Sequence, residues 1–184
     1  MRHPFEHIPL EKRRSIFLPL LVATIFIFII WVLMVSPMSN EKAPLSVSSF
    51  GMAGSLSNAY EMIASWDEET RLSGAFGIGF DFLQLLIYST TFAMACVWIA
   101  QMFRQHGWNN LSALGFVIAW GQWLAVLFGT AQNYVMMSLL LGSEVSETWM
   151  QVSYWSTLSK LILLIIAPVY AALGYIYGIA KSSR

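Results

Sequence analysis

The chain has 184 residues, of which 57% are hydrophobic, 15% aromatic and only 11% charged, and its formal net charge is zero. A soluble domain usually carries about 25% charged residues, so this composition excludes an ordinary soluble protein. The zero net charge gives no reason to expect a nucleic-acid partner. Four long apolar stretches indicate an all-α, polytopic membrane protein built as a four-transmembrane-helix bundle.

The chain is predicted to consist of a cytoplasmic N-terminal arm, residues 1–14, and a single four-helix transmembrane domain, residues 15–184. The four spans are predicted at residues 15–35, 74–103, 111–141 and 152–178. Each is at least as long as the roughly 20 residues that cross the hydrocarbon of a bilayer. The first has no ionisable group between Phe17 and Val35, so we expect it to face lipid at the edge of the bundle.

The longest predicted loop, residues 36–73, joins the first two spans on the outer side. Its first part, Pro37–Ser49, is rich in Ser and Pro and is expected to be irregular. Its second part, from about Ala53 to Glu69, carries large apolar residues at helical spacing, with polar residues on the opposite face. These apolar residues are Leu56, Tyr60, Ile63 and Trp66. The pattern predicts a short external amphipathic helix.

The basic residues predict how the chain is oriented. Seven of the ten lie on one side of the predicted spans: Arg2, Lys12, Arg13, Arg14, Arg104, Lys181 and Arg184. Only Lys42 and Arg71 lie on the other side. Because cytoplasmic segments carry the excess of Lys and Arg, the pattern predicts a multi-pass protein of a bacterial inner (plasma) membrane with both termini in the cytoplasm.

The residues that usually hold metals and prosthetic groups are sparse, so no cofactor is predicted. Cys96 is the only cysteine, which excludes an internal disulfide and a dithiol relay. The three histidines, His3, His7 and His106, all fall in predicted cytoplasmic segments. They cannot clamp a haem inside the membrane and do not form a zinc pattern with the cysteine.

Three polar residues interrupt spans two, three and four at a similar depth: Asp81, Asn133 and Lys160. Each lies seven or eight residues inside the outer end of its span, or about 10–12 Å at 1.5 Å per residue. A charged group inside a bilayer costs a few kcal/mol and normally has a partner. We therefore expect Asp81 and Lys160 to meet in the interior of the bundle.

Further polar residues recur every three or four positions along the same spans, which is typical of helix faces that contact other helices. The predicted stripe on span three comprises Gln122, Gly129, Thr130, Asn133 and Met137, and that on span four comprises Ser153, Ser156, Thr157 and Lys160. The predicted polar cluster, which is either a ligand site or a structural contact, comprises Asp81, Gln84, Tyr88, Gln132, Asn133 and Lys160.

Two interpretations of this cluster remain open. In the structural one, Asp81 and Lys160 form a buried ion pair that fixes the register of the helices and adds little net stability. In the functional one, the cluster lines a pocket that opens outward and binds a polar head or carries a proton. The sequence does not separate the two.

A string of these residues, Asp81-Phe82-Leu83 with Tyr88, then Trp120, Asn133 and Lys160, resembles a group of small bacterial four-span membrane proteins of unknown activity. The likeness extends from about Ala59 to Gly174. Members of that group have an acidic residue before the asparagine of span three, where this chain has Gln132. The resemblance implies the architecture, and this departure argues against a proton pathway.

These observations favour a small integral inner-membrane protein without enzymatic activity, acting as a structural or interaction subunit or binding an amphiphile. An alternative is an ion-coupled carrier or transporter that uses Asp81 and Lys160. A membrane enzyme acting on a lipid or a quinone is the least favoured, because the predicted spans hold no histidine. The expected partners are the lipid bilayer, other membrane subunits or a second copy of the chain, and a lipid-like ligand.

Overall fold

The computed structural model describes residues 3–182, apart from the side chains of Leu10 and of residues 178–182. The described residues form helices and turns, with no strand. The six α-helices are α1 (Leu10–Val35), α2 (Val47–Gly51), α3 (Leu56–Ala64), α4 (Glu68–Gln105), α5 (Asn109–Leu140) and α6 (Glu147–Ser182). Four of them, α1, α4, α5 and α6, are long and apolar enough to cross a membrane. The prediction of an all-α chain with four long apolar helices is confirmed.

Three of the charges used to predict the orientation, those of Arg2, Lys181 and Arg184, belong to side chains outside the described residues.

Each of the four long helices begins before the start of its predicted span. Helix α4 begins at Glu68 because the carboxylate of Asp67 accepts a hydrogen bond of 2.8 Å from the backbone N–H of Thr70. That interaction lowers the pKa of the Asp67 carboxyl below its ordinary value.

Helices α4 and α5 end in the same way, with a glycine in the left-handed conformation. Gly107 has a φ of 77° and Gly142 a φ of 75°, values that a residue with a Cβ rarely adopts. In each case the following N–H bonds back across the last helical turn, from Trp108 to Phe103 and from Ser143 to Ser138. This arrangement satisfies helix-terminal carbonyls and turns the chain sharply into a short connection.

The chain divides into two compact units. The first unit comprises Met1–Thr24, Ile87–Ala125 and Leu161–Arg184, and the second unit comprises Ile25–Leu86 and Val126–Lys160. Each unit has its own core of buried apolar residues.

The first unit packs its helices closely. A Cβ at Gly115 would overlap the side chains of Tyr170 and Ala100, and a Cβ at Gly174 would overlap Ile99. Small residues at such contacts let helix backbones approach one another.

The N-terminal arm of the first unit folds against these helices. It forms a turn of 3₁₀ helix, Pro4–His7, that begins at the fully buried residue His3. The ring centroid of His3 lies 5.0 Å from that of Trp120. The carboxylate of Glu6 forms an ion pair of 3.1 Å with Arg104. Burial lowers the pKa of the His3 imidazole, although the nearby charge of Glu6 opposes the change.

The second unit contains the segment that sequence analysis assigned to an irregular loop, Pro37–Ser49. Instead of an open loop it includes the beginning of α2, and Phe50 in that helix is fully buried. The indole N–H of Trp66 donates a hydrogen bond of 2.9 Å to the carbonyl oxygen of Met38. An apolar core thus holds this segment in place. Sequence periodicity does not reveal α2, because a helix of five residues is too short to show a repeat.

Helix α3 is shorter than the predicted range from Ala53 to Glu69. It begins after Ser55, whose hydroxyl accepts a hydrogen bond from the N–H of Asn58, and it ends before Ser65. Leu56 and Ile63 pack against the core of the second unit, whereas half of the Tyr60 side chain is exposed.

Candidate functional site

The cluster in the second unit is built around the carboxylate of Asp81 on α4. The Nζ atom of Lys160 on α6 lies 3.7 Å from Oδ2 of Asp81, and the side chains of Lys160 and Asp81 are only 10% and 5% exposed. The amide nitrogen of Asn133 on α5 donates a hydrogen bond of 2.9 Å to the same oxygen. Three helices therefore bring one anion, one cation and one amide together in a buried place.

The separation of Lys160 and Asp81 is longer than a direct hydrogen bond. Charge-assisted bonds between an ammonium and a carboxylate measure about 2.7–2.9 Å. At 3.7 Å the two groups attract each other strongly in surroundings of low dielectric constant, but no direct N–H···O bond joins them. The ammonium group, with three N–H donors, is thus held near the carboxylate without being fixed to it.

The side chain of Gln132 lies against a backbone segment that sequence analysis did not assign to the site. A Cβ placed on Gly51 would stand 2.7 Å from Nε2 of Gln132 and 2.6 Å from Oγ1 of Thr157. The hydroxyl of Ser153 donates a hydrogen bond of 3.2 Å to the carbonyl oxygen of Gly51. Only a residue without a side chain allows this approach, so Gly51 is part of the framework of the site.

Three amide oxygens of the cluster are buried and have no hydrogen-bond partner among the described residues. They are Oε1 of Gln84, Oε1 of Gln132 and Oδ1 of Asn133. Leaving a buried acceptor unpaired costs about 1–3 kcal/mol, so such atoms are uncommon in folded proteins. Three of these oxygens belong to the predicted cluster, whereas others among the described residues, such as Oε1 of Gln122, lie outside it. Hydrogen bonding within the cluster is therefore incomplete.

The place of Tyr88 in the predicted cluster stays a prediction. Tyr88 is buried, but it belongs to the first unit, where its ring centroid lies 6.2 Å from that of Phe92. Asp81, Gln84, Gln132, Asn133 and Lys160 are all buried residues of the second unit.

Three of the five positions of the predicted polar stripe of span three are buried, namely Gln122, Gly129 and Asn133. Thr130 is exposed, and Gln122 belongs to the first unit, where its amide donates to the carbonyl oxygen of Leu163 at 3.2 Å. Gly129 is buried, and a Cβ there would overlap the side chain of Leu85. Gly129 and Thr130 lie four and three residues before Asn133, on opposite flanks of its face, so one can be buried while the other is exposed.

The donor set does not suit a resident transition metal. Among the described residues no three His, Cys, Asp or Glu side chains lie together in a way that could hold a metal ion. The cluster offers one carboxylate, three amides and an ammonium, and the positive charge of Lys160 opposes the binding of a cation. Its chemistry is that of hydrogen bonding and charge pairing.

Comparisons with protein-family models, with curated proteins and with solved structures find no match to this chain.

Proposed function

We propose that this chain is a small integral membrane protein that binds the polar head of an amphiphile at the cluster of Asp81, Gln84, Gln132, Asn133 and Lys160. The protein acts by binding, as a subunit or a carrier of a lipid-like molecule, and no chemical reaction is assigned to it. The four long apolar helices support its placement in a membrane. The bias of basic residues supports an inner membrane with both termini in the cytoplasm.

In this orientation the segment between α1 and α4 lies on the outer side, and the cluster lies in the outer half of the membrane. Helix α3 then is the external amphipathic helix, with Leu56 and Ile63 against the second unit and Glu61 exposed.

The observation that carries the proposal is the incomplete hydrogen bonding of the cluster. A contact that only holds helices together is most stable when every buried polar atom has a hydrogen-bond partner, because each unpaired atom lowers the stability of the fold. Here three amide oxygens have no partner among the described residues. In the ion pair, Oδ2 of Asp81 lies 3.7 Å from Nζ of Lys160. A polar head that supplies both donors and acceptors would complete the network.

The experiment is purification in a mild detergent followed by native mass spectrometry. We expect the unmodified protein to retain a bound amphiphile and Lys160→Met to lose most of it, since one of the two charges that hold the head is gone. Lys42→Met is the matched control, because Lys42 forms an exposed ion pair with Glu61 and has no contact with the cluster. A wild-type protein that carries no amphiphile, or equal retention by all three proteins, would contradict the proposal.

A second candidate is an ion-coupled carrier that uses the same two charged residues. It is favoured by the pair itself, because ionisable residues inside membrane helices commonly mark ion pathways. Reconstitution in vesicles tests it: an imposed proton gradient should drive solute or dye movement that Asp81→Asn abolishes. If the vesicles with wild-type protein behave like empty ones, this candidate fails while amphiphile binding stands.

A further inference from the structure

We infer that the group recognised by the cluster is a primary ammonium carried on a zwitterionic head, an inference that rests on the proposed function and names its ligand class. The reasoning starts from the kind of atom that is left unpaired. All three unpartnered atoms, on Gln84, Gln132 and Asn133, are carbonyl oxygens and therefore hydrogen-bond acceptors. A ligand that completes the network must bring N–H or O–H donors.

The orientation of one of these amides is fixed by its neighbour. The nitrogen of Asn133 donates to the carboxylate of Asp81 at 2.9 Å, and turning the amide over would place an oxygen against that carboxylate. The oxygen of Asn133 must therefore point away as an acceptor. The carboxylate of Asp81 lies one hydrogen bond away from this amide, so an ammonium group bound at the oxygen of Asn133 gains charge attraction as well as a hydrogen bond.

Charge balance selects the rest of the head group. Asp81 and Lys160 already neutralise each other, so a ligand with a net charge would leave one charge uncompensated in a buried place. A zwitterion keeps the total at zero: its ammonium faces Asp81 and the amide oxygens, while its anionic oxygens accept from the ammonium of Lys160. The 3.7 Å separation of the two protein groups lets both exchanges occur without breaking a direct hydrogen bond.

The unpaired acceptors also discriminate between two common kinds of zwitterionic head. A primary ammonium has three N–H donors, whereas a quaternary ammonium has none and is usually recognised by the faces of aromatic rings. The unpaired amide oxygens can bond the first and not the second. We therefore expect a phosphoethanolamine-type head to be preferred over a phosphocholine-type head on identical acyl chains.

The test is a competition between these two lipids for the delipidated protein in detergent micelles, read by native mass spectrometry. The unmodified protein should prefer the ethanolamine lipid at least about tenfold, the ratio expected from one or more hydrogen bonds that only this head can make. Equal binding of both lipids would overturn the inference and leave amphiphile binding intact. Binding of neither lipid would overturn both the inference and the proposed function.

Variants that remove acceptors provide a second measurement. Gln132→Leu should lower the preference, because it replaces one of the three unpaired oxygens by an apolar group of similar size. Gln122→Leu is the matched control, since Gln122 is a buried glutamine on the same helix whose nitrogen bonds to Leu163 in the first unit. A preference that survives Gln132→Leu and is lost in Gln122→Leu would contradict the assignment. The comparison of lipids on the unmodified protein needs no variant, so it holds if a variant does not fold.

A soluble competitor identifies the source of the ammonium. Free phosphoethanolamine that displaces the lipid supports recognition of the head alone, and lipid that stays bound supports recognition of the intact lipid. Where free phosphoethanolamine displaces the lipid, phosphocholine should displace less of it, and the reverse order would overturn the inference.

Discussion

The ion pair of Glu6 and Arg104 in the first unit and that of Asp81 and Lys160 in the second differ both in length and in surroundings. The first is the shorter, at 3.1 Å, but more than half of the Arg104 side chain is exposed. The second measures 3.7 Å, and neither side chain is more than 10% exposed. Distance and burial thus rank the two pairs in opposite orders.

Burial decides which of the two pairs matters more when it is broken. In the Glu6–Arg104 pair only Arg104 is well exposed, since 11% of the Glu6 side chain is accessible. Water screens Arg104, and without it the carboxylate of Glu6 keeps the hydrogen bond of 2.9 Å from the backbone N–H of His3, so this pair is expected to contribute about 0.2–1 kcal/mol. In a buried pair, removal of one partner leaves a charge that nothing hydrates. The Asp81–Lys160 contact is the longer of the two, but the stability of the fold is expected to depend on it more. Four changes, taken from the largest expected effect to the smallest, test this expectation.

The largest effect is expected from Lys160→Met. This change leaves the carboxylate of Asp81 buried without a cation, which costs about 3–5 kcal/mol. Chemical unfolding in detergent micelles measures the loss. The double variant Asp81→Asn with Lys160→Met should recover most of the lost stability, because neither side chain then carries a charge that needs a partner. If the single variant is as stable as the double one, the pair has no role in stability.

A smaller effect is expected from Gly51→Ala at the edge of the cluster. The new Cβ would stand 2.6 Å from Thr157 and 2.7 Å from Gln132, so one of these side chains must move. Overpacking of this kind costs about 1–3 kcal/mol, and displacement of Gln132 should also weaken amphiphile retention. Gly79→Ala is the control, since its Cβ would meet Met137 at 3.8 Å, an ordinary contact. Equal unfolding midpoints for the two variants would show that Gly51 is not tightly enclosed.

Removal of the Glu6–Arg104 pair should lower stability less than Lys160→Met does. Arg104→Gln is expected to cost less than about 1 kcal/mol, and raising the salt concentration should reduce the contribution of this pair in the unmodified protein. Unfolding at low and high salt measures both effects. A loss as large as that of Lys160→Met would overturn the ranking of the two pairs.

The smallest effect is expected from a change of pH acting through His3. Burial lowers the pKa of this imidazole in the folded protein below the ordinary value of 6.5. Above that value both states are neutral and the stabilisation is fully present. As the pH falls below it, the unfolded chain binds a proton more readily than the folded one, so stability decreases. His3→Asn, which keeps a capping acceptor, should lose this part of the slope between about pH 7 and about pH 5. An unchanged slope would assign the dependence to other groups.

Much of the architecture follows from long apolar runs. Four helices were predictable because each has many more apolar residues than a loop tolerates, whatever its neighbours are. The ends of the helices were less predictable, since Asp67 starts α4 through one local hydrogen bond and not through hydropathy. Helix α2 could not be predicted, because Phe50 is buried by residues distant along the chain.

The cluster was predictable to the extent that it depends on burial cost. Asp81, Asn133 and Lys160 stand out because polar groups in apolar spans require partners. Gly51 and its approach to Gln132 depend on how a short backbone segment folds, which no spacing in the sequence reveals. Thr130 shows the opposite error: a hydroxyl can bond to its own helix backbone, so its polarity does not indicate an interior position.

The packed segment between α1 and α4 has a practical consequence for topology mapping. Epitope tags and protease sites are usually inserted into the longest stretch between candidate membrane-spanning helices, which here contains Met38, Phe50 and Trp66 in a closed core. An insertion there should unfold the second unit and report a false accessibility. The connection after Gly142, where Ser143 and Glu144 are exposed, is the better place for a tag.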